Sequence, residues 1–196
     1  MRGAILAGGG ATRMGGAPKG LMEVHGRRIL DRLVEGFLEA LGEPPLLVAN
    51  APDAAGWHPG LRVVVDRLPG FGTLGGLYTA VLEAPAPVVC VAWDMPFVPP
   101  ELIRALGDGL AGADVCIPAS GGRRGVEPLC AGYGPAAGPA MADALDRGDL
   151  RAIAFHDSVR VEVLPESSVR RFGAPERLFF NVNTADELVR ANGMAP

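Results

Sequence analysis

Short, unbroken apolar runs alternate with amphipathic segments along the first two thirds of this chain, and no other feature constrains its fold as strongly. Ala4-Ile5-Leu6-Ala7, Leu46-Leu47-Val48-Ala49, Val63-Val64-Val65, Val88-Val89-Cys90-Val91-Ala92 and Val115-Cys116-Ile117 contain no charged residue. A strand with one wet face alternates apolar with polar side chains, whereas unbroken runs predict strands covered on both faces. Between them, Ile29, Leu30, Leu33, Val34, Phe37, Leu38 and Leu41 recur at helical spacing, with Asp31, Arg32, Glu35 and Glu39 opposite. A second helix is predicted over Leu74 to Glu83, entered from Gly72-Thr73. Pro99-Pro100 opens a third that runs to about Leu110, since proline is tolerated in a first turn. Strands and helices in this alternation predict an α/β chain with a mostly parallel central sheet flanked by helices.

Beyond Gly121 the pattern is looser. Gly121-Gly122-Arg123-Arg124-Gly125 reads as a polar loop, Leu129 to Tyr133 as a strand, and Met141 to Leu145 as part of a helix. Val159 to Val163 alternates with period 2, as a half-exposed strand would. The chain closes with Leu178-Phe179-Phe180-Asn181-Val182-Asn183-Thr184, whose asparagines are read on a strand, and a helix over Glu187 to Ala191, which Thr184 is placed to cap. No linker, repeat or low-complexity block divides the 196 residues, so one domain over 1–196 is expected.

A net charge of -4 and a pI near 5.4 argue against a general nucleic-acid or anionic-membrane partner. No stretch approaches 18 consecutive apolar residues, and the start lacks the long apolar core of a signal peptide. A soluble cytoplasmic protein is expected. Cys90, Cys116 and Cys130 are too far apart for a metal knuckle and read as small buried hydrophobes. His25, His58 and His156 are scattered without acidic or Cys neighbours at ligand spacing.

All but one of the 18 basic residues are arginine; the exception, Lys19, ends the segment Leu6-Ala7-Gly8-Gly9-Gly10-Ala11-Thr12-Arg13-Met14-Gly15-Gly16-Ala17-Pro18-Lys19. Lysine is a compact point charge and arginine a planar fork, so the retained lysine suggests a site where the smaller cation matters. The segment fits neither GxxxxGK[ST] nor GxGxxG, which sets aside the P-loop and the dinucleotide fingerprint. What remains is a strand, a glycine-rich turn that lets backbone approach an anion, and two cations, Arg13 and Lys19, able to neutralise phosphates. The alternative is a merely flexible turn.

Asp94 ends the central strand in Trp93-Asp94-Met95-Pro96-Phe97, at the sheet edge where α/β proteins collect ligands. A single carboxylate beside phosphates suits Mg²⁺; a turn or cap aspartate is the alternative. Asp66 leaves the Val63-Val64-Val65 strand at the same edge and either accepts hydrogen bonds from a guanine N1–H and N2 amine or starts a turn. Asn181 and Asn183, at i and i+2 on a strand, would share one face. They ask for a polar task or mark a strand-end turn before Thr184.

Assembled, these residues make the chain resemble the molybdenum cofactor guanylyltransferases, the MobA-like nucleotidyltransferase family. The resemblance runs through Leu6-Ala7-Gly8-Gly9, Arg13-Met14-Gly15-Gly16, Lys19-Gly20, Asp66, Gly72-Thr73-Leu74-Gly75-Gly76, Asp94-Met95-Pro96-Phe97, Glu127-Pro128-Leu129 and Phe180-Asn181-Val182-Asn183-Thr184. It implies a single Rossmann-like domain of the glycosyltransferase-A-like nucleotidyltransferase fold. It also implies transfer of GMP from GTP to the terminal phosphate of molybdopterin, free or carrying molybdenum, with Mg²⁺ as cofactor and transient contacts with proteins of the same pathway. Leu6, Ala7 and Gly8 would cradle the nucleotide, Lys19 and Arg13 its phosphates, and Asn50 and Asp66 its base. Asp94 would bind Mg²⁺, and Asn181 and Asn183 would line the region receiving the pterin phosphate; Arg123 and Arg124, outside the resemblance, read equally as a grip on the pterin or as a solvated surface turn. The Leu-Ala-Gly-Gly form looks like the guanylyl branch rather than the cytidylyl one. Three positions depart from the pattern: Pro18 for a frequent Asp, Thr73 for a frequent Pro, and the bulky Trp93. Competing readings are a CTP-using pterin cytidylyltransferase, a sugar-phosphate nucleotidyltransferase, and a non-catalytic GTP-binding adaptor. Titration with GTP, CTP and UTP and release of pyrophosphate separate them.

Overall fold

The computed structural model describes residues 1–8, 18–84, 86–122 and 125–195. In chain order its strands are β1 (Arg2–Ala7), β2 (Glu23–Val24), β3 (Arg27–Arg28), β4 (Leu46–Ala49), β5 (Val63–Val64), β6 (Val88–Ala92), β7 (Val115–Pro118), β8 (Cys130–Tyr133) and β9 (Val161–Leu164). The helices are α1 (Ile29–Leu41), α2 (Gly72–Glu83), α3 (Pro100–Asp108), α4 (Ala137–Asp146), α5 (Glu166–Val169), α6 (Pro175–Leu178) and α7 (Ala185–Gly193). Seven strands form one sheet in the order β5-β4-β1-β6-β8-β7-β9. Within this sheet every strand pair except those made by β8 is parallel, in agreement with the predicted mostly parallel sheet.

The unbroken apolar runs are explained by two cores, one on each face. Ile5, Leu47, Val89 and Val91 pack against Ile29, Leu33 and Phe37 of α1 and Leu102, Ile103 and Leu106 of α3. Leu6, Val48, Val88 and Cys90 pack against Leu74, Leu77 and Ala80 of α2 and Met141 and Ala144 of α4. Successive strand residues point to opposite faces, so a helix layer on each side demands apolar residues at every position. Gly3 is required at its place in β1, since a Cβ there would stand 2.4 Å from the Phe37 ring. The three cysteines are buried and free. Burial pushes their thiols up, Cys116 to about 11, as expected for packing residues without redox work.

The structure departs from the sequence expectations at three places. Val65 lies beyond β5 and is 65% exposed, because β5 sits at the sheet edge and is only two residues long. At the other edge, β9 does not follow strict alternation, and Val163 is exposed. Phe179 to Asn183 is not a strand. Instead the Val182 N–H donates to the Asp94 carbonyl across 2.9 Å, which ties the segment to the end of β6 without a ladder. The β2–β3 hairpin was not anticipated; its turn carries His25 at φ 52° and Gly26 at φ 71°. A non-glycine residue there is uncommon. His25 is held by its N–H donating to Asn192 Oδ1 at 2.8 Å and by a 3.0 Å contact from its ring Nε2 to the Met194 carbonyl oxygen. Among the described residues no helix is long and apolar enough to cross a membrane.

Candidate active site

The parallel strands β4, β1 and β6 end along one edge of the sheet, and a cavity of about 430 Å³ opens there. Leu6 and Ala7 of β1 with Gly8 just after it, Ala49 of β4 with Asn50 just after it, and Trp93 and Asp94 just after β6 line it, as do Asp66 and Leu129. Gly72, Thr73 and Gly76 of the first turns of α2 complete the wall. No side-chain hydrogen bond from the N-cap residue Phe71 caps that helix end, so its partial positive charge lies at the cavity wall. Five sequence-predicted residues, Leu6, Ala7, Gly8, Asn50 and Asp66, therefore surround one space, and Asp94 joins them. Arg13 and the glycines from Gly9 to Gly16 lie outside the described residues, as do Arg123 and Arg124.

At the β6 end, Lys19 and Asp94 are brought together. The Lys19 ammonium donates to Asn183 Oδ1 at 2.6 Å and lies 3.8 Å from Asp94 Oδ2, with both side chains less than 15% exposed. Burial holds the Asp94 carboxyl above the usual range, and the Lys19 charge opposes that rise. The second oxygen, Asp94 Oδ1, is buried and has no hydrogen-bond partner among the described residues. Such an oxygen costs free energy unless a donor or a cation meets it. Among the described residues no cluster of three or more His, Cys, Asp and Glu could hold a metal by itself. An ion here would lean on Asp94 and on substrate oxygens, which is how Mg²⁺ is commonly held.

The wall behind Asp94 is aromatic. Trp93 stacks on Trp57 with ring centroids 5.1 Å apart, and Trp57 Nε1–H donates to Asp53 Oδ2 at 3.0 Å. Gly20, next to Lys19, lies flat against that stack: a Cβ there would be 2.6 Å from Trp93 Cε3. The bulk of Trp93 and the smallness of Gly20 are thus one feature. Sequence reading noted both residues but had no means to pair them across 73 positions.

At the β5 end, Asp66 is held by its own surroundings. Asp66 Oδ1 accepts from the Leu68 N–H at 3.1 Å and from the Thr79 hydroxyl at 2.8 Å, while the Asp66 N–H donates to Asn50 Oδ1 at 2.9 Å. Asp66 therefore does start a turn, one of the two roles open to it, and it lines the cavity as well. Asn50 is placed at the wall as expected, with its carbonyl oxygen spent on Asp66 rather than free for a base. Thr79 was not anticipated, because one threonine on an amphipathic helix carries no distinguishing local signal.

The asparagine pair separates. Asn183 reaches Lys19, whereas Asn181 donates its amide to the Phe179 carbonyl at 3.0 Å, and neither lines the cavity. The segment forms no strand, and the two asparagines have different partners. The predicted cap is present: Thr184 Oγ1 accepts from the Glu187 N–H at 3.2 Å. Glu187 in turn accepts the Asn183 N–H at 2.7 Å, which fixes the residue that holds Lys19.

Residues 3–161 match the model of the MobA-like NTP transferase domain. The chain belongs to that family. As a MobA-like NTP transferase it is a nucleotidyltransferase, and its relatives are matched over nearly their whole length. It is 38% identical to a probable molybdenum cofactor guanylyltransferase of Pelotomaculum thermopropionicum, over 98% of this chain and 92% of that protein. Identity is 30% to a molybdenum cofactor guanylyltransferase of Desulfosudis oleivorans, over 96% and 93%. Among solved structures it is similar to the molybdopterin-guanine dinucleotide biosynthesis protein A of Archaeoglobus fulgidus. That similarity has a TM-score of 0.81 at 27% identity and covers 98% of this chain and 97% of the other.

Proposed function

We propose that this MobA-like transferase moves GMP from GTP to the terminal phosphate of molybdopterin, with or without bound molybdenum, and releases pyrophosphate. The observation that carries the reading is the Lys19–Asp94–Asn183 constellation at the mouth of a nucleotide-sized cavity, in a chain whose full-length relatives are named for this reaction. An oxygen of the acceptor phosphate attacks the α-phosphorus of GTP. The bond from that phosphorus to the oxygen bridging the β-phosphate breaks, and the electron pair leaves with pyrophosphate. The nucleophile is already an anion, so positioning and charge neutralisation carry the catalysis and no side-chain base is needed.

Each residue then has a task. Leu6, Ala7 and Gly8 bring backbone to the nucleotide, and Asp66, steadied by Asn50, reads the guanine edge. Lys19, with Arg13, offsets the charge growing on the leaving pyrophosphate, and Asn183 aims the Lys19 ammonium. Asn181 and Asn183 lie toward the acceptor. Asp94 is the residue that would hold Mg²⁺, its buried Oδ1, without a hydrogen-bond partner among the described residues, being a hard oxygen suited to that ion. When bound, the ion would supply charge stabilisation at the transferring phosphoryl oxygens. The test is an assay with GTP, Mg²⁺ and molybdopterin that follows both pyrophosphate and the pterin guanine dinucleotide. Both products are expected with GTP and neither with CTP or UTP; pyrophosphate without the dinucleotide, or equal use of CTP, overturns the reading.

A further inference from the structure

We propose that Thr79 is a positioning residue that decides which oxygen of Asp66 meets the nucleotide base. The proposal rests on the reading of Asp66 as the group that recognises guanine. Thr79 is fully buried, and apart from the aromatic and sulfur-bearing residues it is the one polar side chain buried in the core among the described residues. A buried hydroxyl is costly unless both its donor and acceptor capacities are used. Here both are: Oγ1 donates to Asp66 Oδ1 at 2.8 Å and accepts from the Arg67 N–H at 2.9 Å. The core of α2 thus contains a polar group whose contacts all go to the Asp66 turn.

The consequence is an asymmetric carboxylate. Oδ1 already accepts from the Thr79 hydroxyl and the Leu68 N–H, which occupies its two lone pairs. Asn50 fixes the Asp66 backbone from the other side. Among the described residues Oδ2 has no such partner, which leaves it as the acceptor for a ligand. It lies where a Cβ on Gly75 would approach to 3.5 Å, so the glycine leaves the space beside that oxygen clear. Guanine presents an N1–H and an N2 amine, adjacent donors on one edge, whereas adenine presents an acceptor at N1 and its only amine, N6, on the other side of it. A carboxylate oxygen held in one orientation therefore favours guanine and rejects adenine, and a carboxylate free to turn does so less. Thr79 would act on base selection while touching neither the base nor the reacting phosphates.

Thr79→Val keeps the branched shape and removes the hydroxyl. With molybdopterin and Mg²⁺, it is expected to raise the KM for GTP about tenfold and leave kcat within about twofold. The preference in kcat/KM for GTP over ATP should fall by a similar factor, and Thr79→Ser should restore both. A structural role alone would lower the melting temperature and the active fraction without changing the GTP-to-ATP ratio. If Thr79→Val fails to fold, Thr79→Cys, a weaker donor of similar size, is expected to give a KM between wild type and Asp66→Asn. Unchanged KM and base preference in the folded variant, or no rescue by Thr79→Ser, overturns the proposal. Asp66→Asn separates the two levels. If that variant keeps the wild-type KM for GTP, Asp66 is not the base reader and the role of Thr79 falls with it. If Asp66→Asn is impaired and Thr79→Val is not, only Thr79 is wrongly assigned.

Discussion

Asp66 and Asp94 both leave the same edge of the sheet and line one cavity, yet their surroundings oppose each other. Asp66 follows the edge strand β5 and sits in a turn of protein hydrogen bonds that saturate one oxygen. Asp94 follows the central strand β6, is mostly buried, faces the Lys19 ammonium, and leaves one oxygen with no partner among the described residues. Three strand spacings, roughly 14 Å, separate β5 from β6, about the span of a nucleoside and its phosphates. The difference teaches a division of labour. A carboxylate whose hydrogen bonds are supplied by the protein is rigid and suited to recognition. One kept from water, beside a cation and with an open oxygen, is suited to charge that changes during reaction.

Paired variants break or sharpen that contrast. The largest effect is expected from Asp94→Asn, which should lower kcat by about 10²- to 10³-fold and leave the GTP KM close to wild type. Removing Mg²⁺ by chelation should abolish wild-type turnover and take little more from this variant; measured rates with and without chelator check both points. Next comes Lys19→Arg. The mostly buried ammonium sits 2.6 Å from Asn183 Oδ1, and a planar guanidinium is larger and makes its hydrogen bonds in a fixed fork rather than as a point charge. A loss of about 10²-fold in kcat is expected; near-normal turnover would mean that any cation serves and that the retained lysine is incidental. At the other end, Asp66→Ala should raise the KM for GTP by about 10- to 100-fold with kcat nearly intact, the reverse of the Asp94 pattern.

The smallest effects concern stability. Gly20→Ala drives a methyl into the Trp93 ring and should cost about 1–3 kcal/mol, with kcat reduced because the Asp94 wall moves. Gly75→Ala near Asp66 would bring its methyl to 3.0 Å from Phe71 Cβ and 3.2 Å from the Leu68 carbonyl oxygen, a milder crowding than at Gly20 that the gain of about 1 kcal/mol in helix propensity opposes, so its melting temperature should fall less than that of Gly20→Ala. Thermal melts of the two variants, compared side by side, measure how much less the Asp66 end is packed.

Much of the fold was legible because it depends on local periodicity. The five apolar runs became β1, β4, β5, β6 and β7, the helical spacing from Ile29 became α1, and Thr184 caps α7 as its place before Glu187 predicts. The misreadings have a common cause. Val65 and Val163 belong to apolar patterns, but they lie at the two edges of the sheet, where no helix covers them. Asn181 and Asn183 look like a strand pair, but no neighbouring strand lies beside them to hold an extended chain. Tertiary position, rather than propensity, decided each case.

The candidate site divides along the same line. Residue types and their place after strands were enough to single out Lys19, Asp66 and Asp94, because glycine turns and strand-end carboxylates are local features. Their partners were not legible. The Lys19–Asn183 contact spans 164 residues, and the Thr79–Asp66 contact joins a helix interior to an edge turn. Spacing along the chain identifies the groups that can do chemistry. Which of their atoms are occupied, buried or left open is decided only when the sheet order places distant segments side by side, since hydrogen bonding and desolvation act over a few ångströms in space.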